Sequence, residues 1–140
     1  MDYKSAAMIV DWPNIARTTG LPKSELLEKF NTSFGEYKIV IKEIYVIGNT
    51  DPNNTLGHYG FNVRRSPEGE DVDSMILERL SDIIVDPRID TVILASGDGG
   101  YRHAMARARA CGRNLRALGH KCNMSRRLLR IVGKENVVYI

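Results

Sequence analysis

The chain has 140 residues with 43% apolar and 26% charged side chains, the balance of one globular domain with its own core. No apolar run approaches the ~20 residues of a membrane helix, and the opening MDYKSAAMIVD lacks the long apolar region and cleavage site of a signal peptide, so a cytoplasmic protein is expected. The net charge of +3 hides a split: residues 1–100 hold 10 Lys+Arg against 16 Asp+Glu, and residues 101–140 hold 10 against one. Such a basic segment suits a polyanion partner, although any single arginine in it is equally at home on a solvated helix face.

The elements follow in chain order. Ala6 to Val10 is a short apolar strand that stops at Asp11. Pro13 and Asn14 then suggest a turn, with Asp11 as its cap. Lys23 to Phe34 has helical spacing through Leu26, Leu27 and Phe30, and Gly35 stops it. Tyr37 to Ile47 is β-branched and aromatic, hence a strand. Residues 50–60 are loop-like, with room for a short helix. Phe61 to Arg65 is a candidate short strand, followed by the loop at Ser66 to Gly69.

Asp71 to Val85 carries one apolar helix face and ends before Asp86-Pro87. Thr91 to Ala95 is a strand apolar on both faces. It breaks at Ser96-Gly97-Asp98-Gly99-Gly100, a turn that either cradles a phosphate or presents one carboxylate. Tyr101 to Cys111 is helical, Leu115 to Leu118 a strand, Ser125 the cap of a helix through Val132, and Val137 to Ile140 a last short strand. Strands alternating with helices predict a single α/β domain over 1–140, with a mainly parallel sheet covered on both faces.

Ligands of such folds bind at the carboxyl ends of the strands. Asp11 and Asp98 fall there, and Asp71 and Asp73 open a helix near the same edge. Converging carboxylates raise one another's pKa unless a cation neutralises them. Oxygen ligands without His or Cys suit Mg²⁺ or Mn²⁺. For Asp71 and Asp73 the alternative is a favourable charge at a helix start. Gly97, Gly99 and Gly100 do not complete a GxGxxG, since residue 102 is Arg, and no Walker lysine follows. Cys111 and Cys122 match no zinc spacing and read as reduced thiols.

Taken together and in order, MIVDWPNI, EDVDSMILERL, TVILASGDGGY and MSRRLLRIVGKENVVYI resemble the NYN domain family, a PIN-like nuclease group that includes LabA-like proteins. The resemblance spans nearly the whole chain. It implies a PIN-like three-layer α/β/α fold and a metal-dependent ribonuclease, often an endonuclease, acting on single-stranded or structured RNA. It places Asp11, Asp73 and Asp98 on the family's metal positions, with Asp71 as an extra candidate. It gives Asn14 a catalytic positioning role and Ser96 a supporting one beside the substrate.

Arg102, Arg107, Arg126 and Arg127 are the expected phosphate contacts, with Trp12 either stacking a base or packing in the core. Tyr101 is assigned to the core, where the family has an apolar aromatic. A homodimer is compatible with the resemblance, but no segment marks an interface. Two departures stand out: Gly100 and Arg79 occupy positions where the family often has acids. They leave open an alternative, a catalytically weakened RNA-binding or adaptor module.

Overall fold

The computed structural model describes residues 4–140. Six strands form one sheet in the order β3-β2-β1-β4-β5-β6. They are β1 (Lys4–Asp11), β2 (Tyr37–Ile47), β3 (Asn62–Ser66), β4 (Thr91–Ala95), β5 (Asn114–Gly119) and β6 (Val137–Tyr139), and every neighbouring pair runs parallel. The helices are α1 (Trp12–Thr19), α2 (Lys23–Ser33), α3 (Thr55–His58), α4 (Asp73–Ile84), α5 (Arg102–Ala110) and α6 (Arg126–Val132).

The apolar alternation of β1 explains the layers. Ala6, Met8 and Val10 face a core shared with Ile15 of α1, Leu26 and Phe30 of α2 and Leu56 of α3. Ala7 and Ile9 face the opposite core, with Ile76 and Leu80 of α4, Met105 of α5 and Leu128 of α6. Successive strand residues point to opposite faces, so a strand apolar throughout must be covered twice. The result is the expected three-layer α/β/α domain. No helix among the described residues is long and apolar enough to cross a membrane.

The strand order locates the crevice. From β1 the chain moves outward through β2 and β3, then returns to the other side of β1 at β4. The direction of winding reverses between β1 and β4, and the helices that follow them diverge at the carboxyl ends. Asp11 closes β1 and Asp98 follows β4, so both stand at this reversal.

The main difference from the sequence reading is α1, which occupies the stretch assigned to a turn. Asp11 caps it by accepting the Asn14 N–H at 3.2 Å, Pro13 sits in its first turn, and Gly20 ends it at φ 64°. A proline-first helix capped by an aspartate is a known start signal. Eight residues, with Thr18 and Thr19 at the end, are too short for a clear apolar period. Helix α4 also begins at Asp73 rather than Asp71, leaving Asp71 exposed ahead of it.

Candidate active site

Three carboxylates converge. Asp11, Asp73 and Asp98 each offer an oxygen, and these atoms all lie within 4.8 Å of one another. Asp11 is 3% exposed because it ends a central strand beneath the start of α1. Its Oδ1 accepts the Asn14 N–H at 3.2 Å, and its Oδ2 accepts the Tyr101 hydroxyl at 2.9 Å and the Ser96 hydroxyl at 3.4 Å. Asp73 is the first residue of α4, and its Oδ1 meets the Tyr101 hydroxyl at 3.0 Å. The Asp98 Oδ1 accepts the Gly100 N–H at 2.9 Å, while the Asp98 N–H donates to Ser96 Oγ at 3.1 Å. Asn14 Oδ1 accepts the Gly97 N–H at 3.0 Å, which ties α1 to the turn after β4.

The turn presents a carboxylate; its glycines serve close packing. A Cβ on Gly97 would lie 2.5 Å from the Asn123 carbonyl oxygen, and one on Gly99 would lie 2.6 Å from Ser125 Oγ. The Ser125 N–H also donates to the Gly97 carbonyl at 2.9 Å. The two glycines therefore let the Asp98 turn sit directly against the residues that start α6. Gly100 differs: it is exposed, and a Cβ there would meet only Asp98, with Oδ1 nearest at 3.3 Å.

Charge is poorly balanced in this cleft. Burial pushes the Asp11 carboxyl up; the Asn14 N–H and the Tyr101 hydroxyl oppose the rise, and the charge of Asp98 adds to it. Asp73 is pushed up to about 6, first by burial and then by Asp71 and Asp98, against the pull of the Tyr101 hydroxyl. Burial and the two carboxylates push the Tyr101 phenol far above its ordinary range, so it keeps its proton. That one proton serves one carboxylate at a time. When Asp73 carries a proton of its own, it donates to the Tyr101 oxygen while Tyr101 donates to Asp11.

Among the described residues none of the three acids forms an ion pair. The donor set fits a hard divalent cation, being all oxygen and anionic. Opposite ligands of an octahedral Mg²⁺ stand about 4.2 Å apart, so the three carboxylates are within a small side-chain adjustment of sharing one ion.

The cleft has further walls. Glu70 and Asp71 line one side and Arg17 another. Neither Glu70 nor Arg17 is singled out by the sequence: Arg17 lies on the unexpected α1, and Glu70 precedes α4 in a loop. The Tyr101 ring is buried as expected, but its hydroxyl reaches two acids.

Other expected residues lie elsewhere or act differently. Trp12 is 6% exposed and packs within the core shared by α1 and α2. Ser96 is fully buried, so it braces Asp11 and the Asp98 backbone and cannot touch a substrate. Arg102 is half-buried and donates to the Gly99 carbonyl at 3.0 Å. Arg107, Arg126 and Arg127 are exposed on α5 and α6 and do not line the acidic cleft; Arg126 borders a separate basic cleft with Arg130 and Lys134. Arg79 also lies outside the acidic cleft, because its Nε donates to Glu43 Oε1 at 3.0 Å. An acid at position 79 would therefore not join the three aspartates.

The sequence model of the NYN domain matches residues 5–134. No curated protein sequence matches the chain. A crystal structure of a protein of unknown function from Vibrio parahaemolyticus superposes with a TM-score of 0.80 at 23% identity, covering 99% of this chain and 93% of that one; it supports the fold. A second crystal structure, from Desulfitobacterium hafniense, reaches a TM-score of only 0.44 at 9% identity, covering 100% of this chain and 34% of that one, and carries no argument.

Proposed function

The chain belongs to the NYN domain family, and on that premise we propose that it is a metal-dependent endoribonuclease hydrolysing RNA phosphodiester bonds. The observation that supports this reading is the convergence of Asp11, Asp73 and Asp98 at the strand-order reversal, with no protein cation paired to them among the described residues. These residues would hold Mg²⁺ or Mn²⁺. Such an ion supplies an acidified water and polarises a phosphodiester oxygen.

The chain's own groups do the rest. Asn14 fixes the Asp98 turn through the Gly97 N–H, and Ser96 holds Asp11 and Asp98 in mutual register. Arg17, on the cleft wall, grips a phosphate of the strand. Arg102 keeps free guanidinium N–H groups beyond its bond to Gly99 and can do the same. Arg107, Arg126 and Arg127 extend the phosphate contacts along α5 and α6, giving salt-sensitive affinity with little sequence preference. Cleavage would leave a 5′-phosphate and a 3′-hydroxyl.

The alternative, an RNA-binding or adaptor module with a weakened site, draws on the missing acid at Gly100. One experiment separates the two. Single-stranded and structured RNA are incubated with Mn²⁺ and either the wild-type protein or Asp98→Asn. Losing one of three ligands is expected to cut cleavage by more than ~100-fold, since even outer partners of metal ligands cost 10–100-fold. Equal activity in the two proteins would sink the nuclease reading. RNA binding without cleavage by the wild type would favour the module.

A further inference from the structure

We propose that the Tyr101 hydroxyl is a positioning group that ties Asp11 to Asp73 and limits the site to one divalent cation. The proposal rests on the metal-dependent reading above and adds a residue and a stoichiometry to it.

The geometry is specific. Tyr101 ends the short 3₁₀ turn Gly99–Tyr101 and is 1% exposed, its ring packed in the core beneath α4 and α5. A buried ring cannot swing, so its hydroxyl is a fixed point, 2.9 Å from Asp11 Oδ2 and 3.0 Å from Asp73 Oδ1. These two acids come from β1 and α4, which have no covalent reason to hold a constant separation. The hydroxyl spans them and offsets part of their repulsion. A phenylalanine ring would fill the same space and supply none of this.

The same contacts fix how many ligands remain. Of the six oxygens of Asp11, Asp73 and Asp98, both of Asp11 and Oδ1 of Asp98 accept protein hydrogen bonds, and Oδ1 of Asp73 shares the single Tyr101 proton with Asp11 Oδ2. Asp73 Oδ2 and Asp98 Oδ2 accept none among the described residues, and Asp11 has spare lone pairs to share. Three ligands with water or phosphate on the remaining positions complete one octahedral ion. A second ion would need Asp11 to bridge with freed oxygens and a further acid in the cluster; Glu70 and Asp71 line the cleft wall but stand outside the three-acid group, and position 100 provides none.

The test titrates Mn²⁺ into the full chain and follows free Mn²⁺ by electron paramagnetic resonance, in the wild type and Tyr101→Phe. One ion per wild-type chain is expected, with about 10- to 100-fold weaker binding in the variant. Ultraviolet absorption is the second readout. Binding rearranges the partners of the Tyr101 hydroxyl, so the wild type gives a tyrosine difference signal that Tyr101→Phe lacks, and a merely structural ring would give the same signal in both. The wild-type stoichiometry and signal stand alone if the variant folds poorly. Two ions per wild-type chain, no tyrosine signal, or unchanged affinity in a folded variant overturns the proposal alone. No Mn²⁺ binding by the wild type overturns it together with the metal-dependent reading.

Discussion

Two buried carboxylates in this protein each accept a hydrogen bond from a tyrosine hydroxyl, and they differ in what balances their charge. Glu43, 3% exposed on β2, accepts Tyr45 at 2.8 Å and Arg79 at 3.0 Å on one oxygen, and Arg64 stands 3.6 Å from the other. Asp11, equally buried on β1, has a tyrosine and two more carboxylates as neighbours. The two lie close together, since Tyr45 is the register partner of Asp11 across β1 and β2. The same fold thus contains a neutralised buried acid and an un-neutralised one. Arginines balance the first within the chain; among the described residues no side chain pairs with the second. A buried charge without a counter-charge is costly to stability, and it persists where binding or catalysis needs it.

Breaking the balanced site should have the largest effect on folding. Arg79→Ala leaves Glu43 buried with only the more distant Arg64. The expected loss is about 2 kcal/mol, below the 3–5 kcal/mol of a fully enclosed pair because the Arg79 side chain is 30% exposed. Urea unfolding measures this, and Mn²⁺ affinity should not change; a stable variant would remove the contrast between the two sites.

Relieving the unbalanced site should have the opposite sign. Asp73 is pushed up to about 6 in the folded chain from an ordinary 3.8. A carboxyl that binds its proton more tightly when folded adds stability fully below pH 3.8, and that stability is lost as the pH rises through about 6. Unscreened, the shift is worth about 3 kcal/mol. At a partly exposed site screening reduces it to about 1 kcal/mol. Asp73→Asn is therefore expected to raise the Tm of the chelator-treated protein by about 3 °C at pH 7.5, by about half as much at pH 5 and hardly at all below pH 3.8. Mn²⁺ should stabilise the wild type and not the variant. A variant that melts lower at pH 7.5 would show that the acids are not repelling.

The smallest effect sharpens the role of the tyrosines. Tyr45→Phe removes one donor from Glu43, which keeps Arg79 and Arg64. A loss of about 0.5–1 kcal/mol is expected, with Mn²⁺ affinity unchanged. If Tyr45→Phe weakens Mn²⁺ binding as much as Tyr101→Phe, the two hydroxyls act through general packing.

The sequence made one of these sites visible and not the other. Asp11 and Asp98 were readable because each stands where an apolar run ends, and the end of a buried strand is a local signal. Asp73 was readable through the helix it opens. Glu43 was not, because it is one charge in a β-branched strand and its partners lie 21 and 36 residues away, at Arg64 and Arg79. The Tyr101 ring could be assigned to the core from its setting, but its hydroxyl reaches Asp11 across 90 positions. Local pattern carries burial well and carries the target of a polar atom poorly. Helix α1 is hidden for a related reason: Asp11, Pro13 and Asn14 describe a turn as well as a helix start, and Arg17 is hidden with it. For Trp12, pattern left stacking and packing equal, and its burial is visible only in three dimensions.

The glycines of the Asp98 turn also bear on how this protein can change over generations. Position 97 is closed, since a Cβ there would collide with the Asn123 carbonyl; at position 99 the Ser125 hydroxyl would have to turn away and its Cβ give by a few tenths of an ångström. Position 100 is open: it faces solvent, and only the Asp98 carboxylate would have to yield by a few tenths of an ångström. A glycine codon becomes an aspartate or glutamate codon by one base change. Within a single turn, one neighbour is held by backbone and another by a side chain, while the third stands one mutational step from a richer set of acids.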